Sequence, residues 1–101
     1  MTYQRVDRSR LTTVVPVTGE VDHVTALGIP AAVRAALADG ARHIVVDLTD
    51  VDFMDASALS ALVLSRKLAD LSGAHLSVRC AAARHVRLFT ITGLECLLDG
   101  R

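Results

Sequence analysis

Hydrophobic positions along the chain switch repeatedly between a spacing of two and a spacing of three to four, and each switch marks an element. Leu11 to Thr18 is rich in β-branched residues and ends at Gly19, which predicts a strand followed by a turn. Pro16 has no N–H to give to a ladder, so it suggests an edge or the end of the paired region. Ile29, Val33 and Leu37 recur every four residues in an Ala-rich run, predicting a helix that stops near Asp39-Gly40. Pro30 then has to fall in its first turns, where no helical hydrogen bond needs its N–H. His43 to Leu48 predicts a second strand, with Ile44, Val46 and Leu48 on one face and His43, Val45 and Asp47 on the other. A helix from about Ser57 to Leu71 follows, with Leu59, Leu62, Val63 and Leu71 as its inner residues and Gly73 as its stop. His75 to Cys80 predicts a third strand: Leu76, Val78 and Cys80 inward, His75, Ser77 and Arg79 outward. The last helix, about Ala82 to Thr90, presents Val86 and Phe89 and closes at Gly93.

The order strand, helix, strand, helix, strand, helix implies crossover connections, which are right-handed in nearly all proteins. If each crossover adds its strand on the same side, every helix lands on one face of the sheet. The alternation in 43–48 and 75–80 agrees, because a sheet covered on both faces reads as continuous apolar runs. The expected fold is α/β, a small sandwich with one layer of helices.

Length and composition narrow the function more than the fold. The 101 residues suffice for one domain and not for two, so 1–101 reads as a single unit. Aromatic residues are only 3% of the chain, so the core has to be built from Val, Leu, Ile and Ala. Lys+Arg and Asp+Glu are 11 each, and this neutral balance argues against a nucleic-acid partner, which needs a basic field. A neutral chain is also weakly repelled from itself, which fits a monomer or a weak dimer. Cys80 and Cys96 are too few for a disulfide framework and lack metal spacing; they are expected as reduced, buried thiols in a cytoplasmic protein. Met1 to Arg5 does not begin a signal peptide and no 18 apolar residues run together, so no membrane span is expected.

Most of the chemistry lies in Asp47 to Leu59, where a buried strand ends, a short loop follows and a helix begins near Asp55 to Ser57. Such a junction sits at the carboxyl edge of the sheet, where parallel α/β proteins place their sites. Asp55 suits the N-cap, and Ser57 then lies in the first turn, at the positive end of the helix dipole. A phosphate there meets an environment suited to anions. Spacing alone favours plain capping and does not promote Ser57.

The residues do resemble a known family. The run VDLTDVDFMDASALSAL (46–62) is similar to the signature of STAS domains in anti-sigma factor antagonists. Thr18-Gly19-Glu20-Val21-Asp22 resembles the family's Gly-Glu-Leu/Val-Asp turn, and Thr92-Gly93-Leu94 its C-terminal Ser/Thr-Gly-Leu. The resemblance spans roughly 11–98 and implies a single STAS-like domain, with a mostly parallel mixed sheet of four to five strands and helices packed on one face. It implies a partner, an anti-sigma factor with serine kinase activity, bound by the unphosphorylated domain. Phosphorylation of Ser57 would break that association and a serine phosphatase would restore it. By position, Ser57 matches the phosphoacceptor, and Asp22 and Asp55 the acidic residues beside it. The implied partner face is Asp22, His23, Asp55, Ala56, Ser57, Ala58 and Leu59. Two departures stand out: the family's Ser-Ser-Gly is Ala56-Ser57-Ala58 here. Ala58 favours the helix by roughly 1 kcal/mol over glycine, and would add a methyl group where a kinase approaches. The alternative role on the same fold is a STAS subunit of a transporter ATPase complex or signalling scaffold without a switch. A nucleotide-binding STAS domain is disfavoured, because no glycine-rich loop is present.

Other constellations carry less. No Gly-x-Ser-x-Gly elbow surrounds Ser57, and a turn histidine such as His23 is ordinarily solvated, so hydrolysis is not expected and the chain is not read as an enzyme. His43 and His75 begin adjacent strands on the same face and could share a metal, yet no third ligand has convincing phase. Asp50, Asp52 and Asp55 do not form a metal-dependent aspartate acceptor, which needs a lysine after a later strand; Lys67 falls inside a helix. Arg84, His85 and Arg87 read as a small basic, solvated helix face. No cofactor and no metal are expected.

Overall fold

The computed structural model describes residues 12–98, so the first residue of the expected strand, Leu11, lies outside the described part. Three strands, β1 (Thr12–Val21), β2 (His43–Met54) and β3 (His75–Arg79), alternate with three helices, α1 (Gly28–Ala38), α2 (Ala56–Leu71) and α3 (Ala83–Ile91). Single 3-10 turns lie at Thr25–Leu27 and Glu95–Leu97. Among the described residues the sheet has three strands in the order β1-β2-β3, and both pairings are parallel. The expected mixed sheet of four to five strands is therefore corrected to a three-stranded parallel one. The chain's own periodicity predicts only three strands; the larger number came from the resemblance. A lone parallel bridge joins Val78 to Leu98, where the chain returns beside β3.

Both β1 and β2 run further than expected. In place of a turn after Gly19 and a loop after Leu48, the two strands stay paired as far as Val21 and Met54. Two register shifts make this possible, between Pro16 and Thr18 and between Gly19 and Glu20. At the first, Pro16 has no N–H to offer, and the amide of Thr49 on β2 is taken by the Asp47 carboxylate at 3.0 Å. At the second, Gly19 adopts φ 79, a left-handed conformation that side chains disfavour. Alternation breaks at each shift, so a pattern search sees the strand end where it only bulges.

With the strands in sequence order and right-handed crossovers, α1 and α2 cover the same face and pack on each other. One cluster joins Val15 and Val17 of β1, Ile44, Val46 and Leu48 of β2, Leu76 and Val78 of β3, Ile29 and Val33 of α1, Leu59 and Leu62 of α2, and Phe89 of α3. The inner stripe of α2 is Ala58, Leu59, Ala61, Leu62, Ser65 and Ala69. Val63 is 37% exposed and Leu71 85% exposed, so neither is an inner residue. Leu71 follows Leu62 by nine residues, half a rotation off at about 100° per residue. Small residues take the inner positions, where they let the two helices approach, and Ser65 donates its hydroxyl to the Ala61 carbonyl at 2.7 Å.

The opposite face carries the rows His43–His75, Val45–Ser77 and Asp47–Arg79 in register. The two imidazoles are 5.1 Å apart between centroids, and His43 Nε2 lies 3.3 Å from Ser77 Oγ. Among the described residues no group of three or more His, Cys, Asp or Glu side chains is placed to hold a metal ion. No helix there is long and apolar enough to cross a membrane. Cys80 is half-buried, and burial pushes its thiol up, with the Ala82 amide pulling the other way. Cys96 is exposed in the Glu95–Leu97 turn, correcting the expectation that both thiols are buried.

Candidate functional site

Val21 and Met54 are paired across β1 and β2, and each strand ends there, so Asp22 and Asp55 leave the sheet side by side. The Asp55 amide donates to the Val21 carbonyl at 3.3 Å, joining the two exits.

Asp22 organises the first exit. One carboxylate oxygen, Oδ1, accepts from the amides of Val24 and Thr25, both at 3.0 Å. The Asp22 amide donates in return to Thr25 Oγ1 at 2.9 Å. This reciprocal pair, three residues apart, is the logic of a capping box, and it ties down the turn carrying His23. The amides of Thr25 and then Val24 hold the Asp22 carboxyl below its ordinary value, so it is ionised at neutral pH. Sequence reading missed Thr25. Its signal was there: Asp-x-x-Thr ahead of a helix.

Asp55 organises the second exit. As N-cap of α2 its Oδ1 accepts from the Ser57 amide at 2.8 Å, and its carbonyl accepts from the Ala58 amide at 3.0 Å. Ser57 is the second helical residue and half-buried. Its own amide is thus already engaged, and an anion on its side chain would compete with the Asp55 carboxylate. Asp55→Ala is expected to lower stability by about 1 kcal/mol, with Asp55→Asn keeping most of it; urea titration of both variants checks this.

The expected face divides in two. Asp22, His23, Asp55, Ala56 and Ser57 reach solvent at the edge, whereas Ala58 is 0% exposed and Leu59 is buried. Both lie on the inner stripe of α2; Ala58 is fully enclosed in the core, whereas Leu59 also lines the second groove beside α2. The Ala58 methyl group, expected beside an approaching kinase, sits inside instead. Grooves flank α2. One, about 290 Å³, has His23, Ala26, Leu27 and Pro30 on one wall and Ser57, Ser60, Ala61 and Leu64 on the other. The second, about 380 Å³, lies between α2 and Thr92-Gly93-Leu94 and is lined by Ala56, Leu59, Ser60, Val63, Thr92 and Leu94. Ser60 lines both, and no motif had singled it out. Phe53, at the end of β2, is 53% exposed beside this edge.

The basic patch on α3 does not form as expected. Arg84 Nη2 donates to the Asp52 carbonyl at 2.9 Å, clamping α3 to the end of β2. His85 is 3% exposed, and neither ring nitrogen has a hydrogen-bond partner among the described residues. Burial, and secondarily Arg84, pushes the His85 imidazole below its ordinary value. The ring is neutral at pH 7 and contributes no surface charge. Among the three residues, only Arg84 and Arg87 are exposed.

Comparison with known proteins agrees with this geometry. The profile of the STAS domain matches residues 3–100. The solved structure of an anti-sigma factor antagonist from Mycobacterium paratuberculosis is 28% identical, covers 97% of this chain and 82% of its own, and superposes with a TM-score of 0.81. The anti-sigma factor antagonist SpoIIAA in its unphosphorylated form is 21% identical, with 97% and 86% covered and a TM-score of 0.80. The phosphorylated form of the Bacillus cell fate determinant SpoIIAA, also 21% identical, covers 97% and 89% with a TM-score of 0.72. By fold and by sequence profile, this chain belongs to the STAS domain family.

Proposed function

We propose that this STAS domain is an anti-sigma factor antagonist that works as a binding module and not as an enzyme. It binds an anti-sigma factor with serine kinase activity while Ser57 is unmodified, is released when Ser57 is phosphorylated, and is reset by a serine phosphatase. The observation that carries this reading is the placement of Ser57: half-buried in the first turn of α2, beside the Asp55 cap and on the wall of an open groove. Its likeness to proteins described as anti-sigma factor antagonists, one of them in a phosphorylated form, supports the same role. The partner face comprises Asp22, His23, Asp55, Ala56 and Ser57, extended by Ser60 and the exposed Leu27 and Leu64 along the groove.

The physics of release follows from charge and space. A phosphoserine carries nearly two negative charges at neutral pH. At about 6 Å from a single carboxylate and an effective dielectric near 20, that is roughly 5 kcal/mol of repulsion before screening. The phosphate is driven away from the cap and out over the groove, where an apolar partner surface has to seat. Wild type and Ser57→Ala are expected to recover the same anti-sigma kinase from native lysate. Ser57→Asp is expected to recover it with at least about tenfold lower affinity, about 1.4 kcal/mol, and mass spectrometry is expected to find phosphate on Ser57. Equal recovery by all three proteins with no phosphate, or a transporter ATPase in the kinase's place, would overturn the proposal.

A further inference from the structure

Resting on Ser57 as phosphoacceptor, we infer that His23 is the residue that binds the phosphate of phosphorylated Ser57, its imidazole N–H donating a hydrogen bond to a phosphate oxygen across the mouth of the groove. The groove has two walls, and the elements that make them leave the same edge of the sheet. His23 opens one wall and Ser57 opens the other, with Pro30 and Leu64 further along. Among the described residues lining the groove, His23 alone has an ionisable side chain.

Among the described residues, the neighbouring groups leave the phosphate little else to bind. The amides of Ser57 and Ala58 are both bonded to Asp55, so the first turn of α2 has few donors to spare. The Asp55 and Asp22 carboxylates repel a dianion. The Arg84 guanidinium is held on the Asp52 carbonyl. His23, in contrast, is exposed, and the Asp22–Thr25 hydrogen bonds fix the turn that carries it. Bound this way, the phosphate lies over the groove mouth and blocks the surface that the unmodified domain offers to a partner.

The test uses the whole chain with phosphoserine installed at position 57 during translation, and reads the phosphate directly by ³¹P NMR across pH 4.5 to 8. A hydrogen-bond donor held against the phosphate favours the dianion, so the second ionisation in wild type is expected about half a pH unit or more below that of His23→Ala. His23→Lys, which restores an N–H donor, is expected to bring the midpoint back down. Superimposable titrations for wild type and His23→Ala, with both proteins folded by circular dichroism, would overturn the inference. So would a lowered midpoint in wild type that His23→Ala leaves in place. No kinase enters this experiment, so its failure leaves the binding switch standing, and failure of the switch does not alter the titration.

Discussion

Alanine in place of Phe89 is expected to lower the unfolding free energy by about 3–5 kcal/mol. Phe89 is the largest fully buried side chain and joins α3 to the core built by the sheet, α1 and α2. The helix ends just beyond it in a backbone motif that the substitution keeps: the Leu94 amide donates to the carbonyl of residue 89 at 2.7 Å, and Gly93 turns the chain at φ 74. Among the described residues the core holds no second Phe, Tyr or Trp to move into the space, so the cavity stays. Domains of this size are stable by only about 5–15 kcal/mol in total, so the loss is a large fraction. Phe53 supplies the internal control. It is 53% exposed at the end of β2, and Phe53→Ala is expected to change stability by less than about 0.5 kcal/mol. Urea midpoints at unchanged slope measure both. A cost below about 1 kcal/mol at Phe89, or equal costs at the two sites, would contradict the packing described.

His85→Leu is expected to stabilise the protein at neutral pH by about 1–3 kcal/mol, an unusual direction for a core substitution. The native ring is buried with both nitrogens unpartnered, and leucine fills a similar volume with no polar atom to desolvate. The pH dependence has a definite sign. The folded state holds this imidazole below its ordinary value of 6.5, so as pH falls the unfolded chain takes up the proton first. Stability from this group is therefore full above pH 6.5, declines as pH drops below it, and levels off once the folded-state ring also protonates. Thermal melts from pH 7.5 to 5 are expected to fall more steeply for wild type than for His85→Leu. Parallel curves would mean that His85 does not titrate differently in the two states. Because the adjacent Arg84 clamps α3 to Asp52, acid loosening at His85 is expected to reach the end of β2 as well. Faster amide exchange at Asp52 and Phe53 near pH 5.5 in wild type, suppressed in His85→Leu, would register it.

The sequence by itself determined the order of elements, the single layer of α1 and α2, the helix stops at Gly40, Gly73 and Gly93, the Asp55 cap and the place of Ser57 in the first turn. These are local properties. They depend on period, on a glycine free to take positive φ and on a short carboxylate within reach of its own helix's amides, none of which needs a distant partner. The motif at 46–62, with its two companions, also identified the family.

Tertiary structure decided the rest, because it depends on which residue meets which. Strand length is one case: β1 and β2 hold each other through two bulges that disrupt alternation, and only pairing shows that the ladder resumes. The inner face of α2 is another. Hydropathy ranks Val63 and Leu71 above Ala58, Ser65 and Ala69, whereas close helix packing selects the small residues. His85 reads as surface charge from its neighbours Arg84 and Arg87, whereas burial first, and Arg84 second, keep it neutral. The site follows the same division. Ser57 and Asp55 are near in sequence and could be placed beside each other, but the pairing of Val21 with Met54 is what brings Asp22 and His23 to the same edge. A hydrogen-bonded register between strands thirty-three residues apart carries no signature in either strand alone.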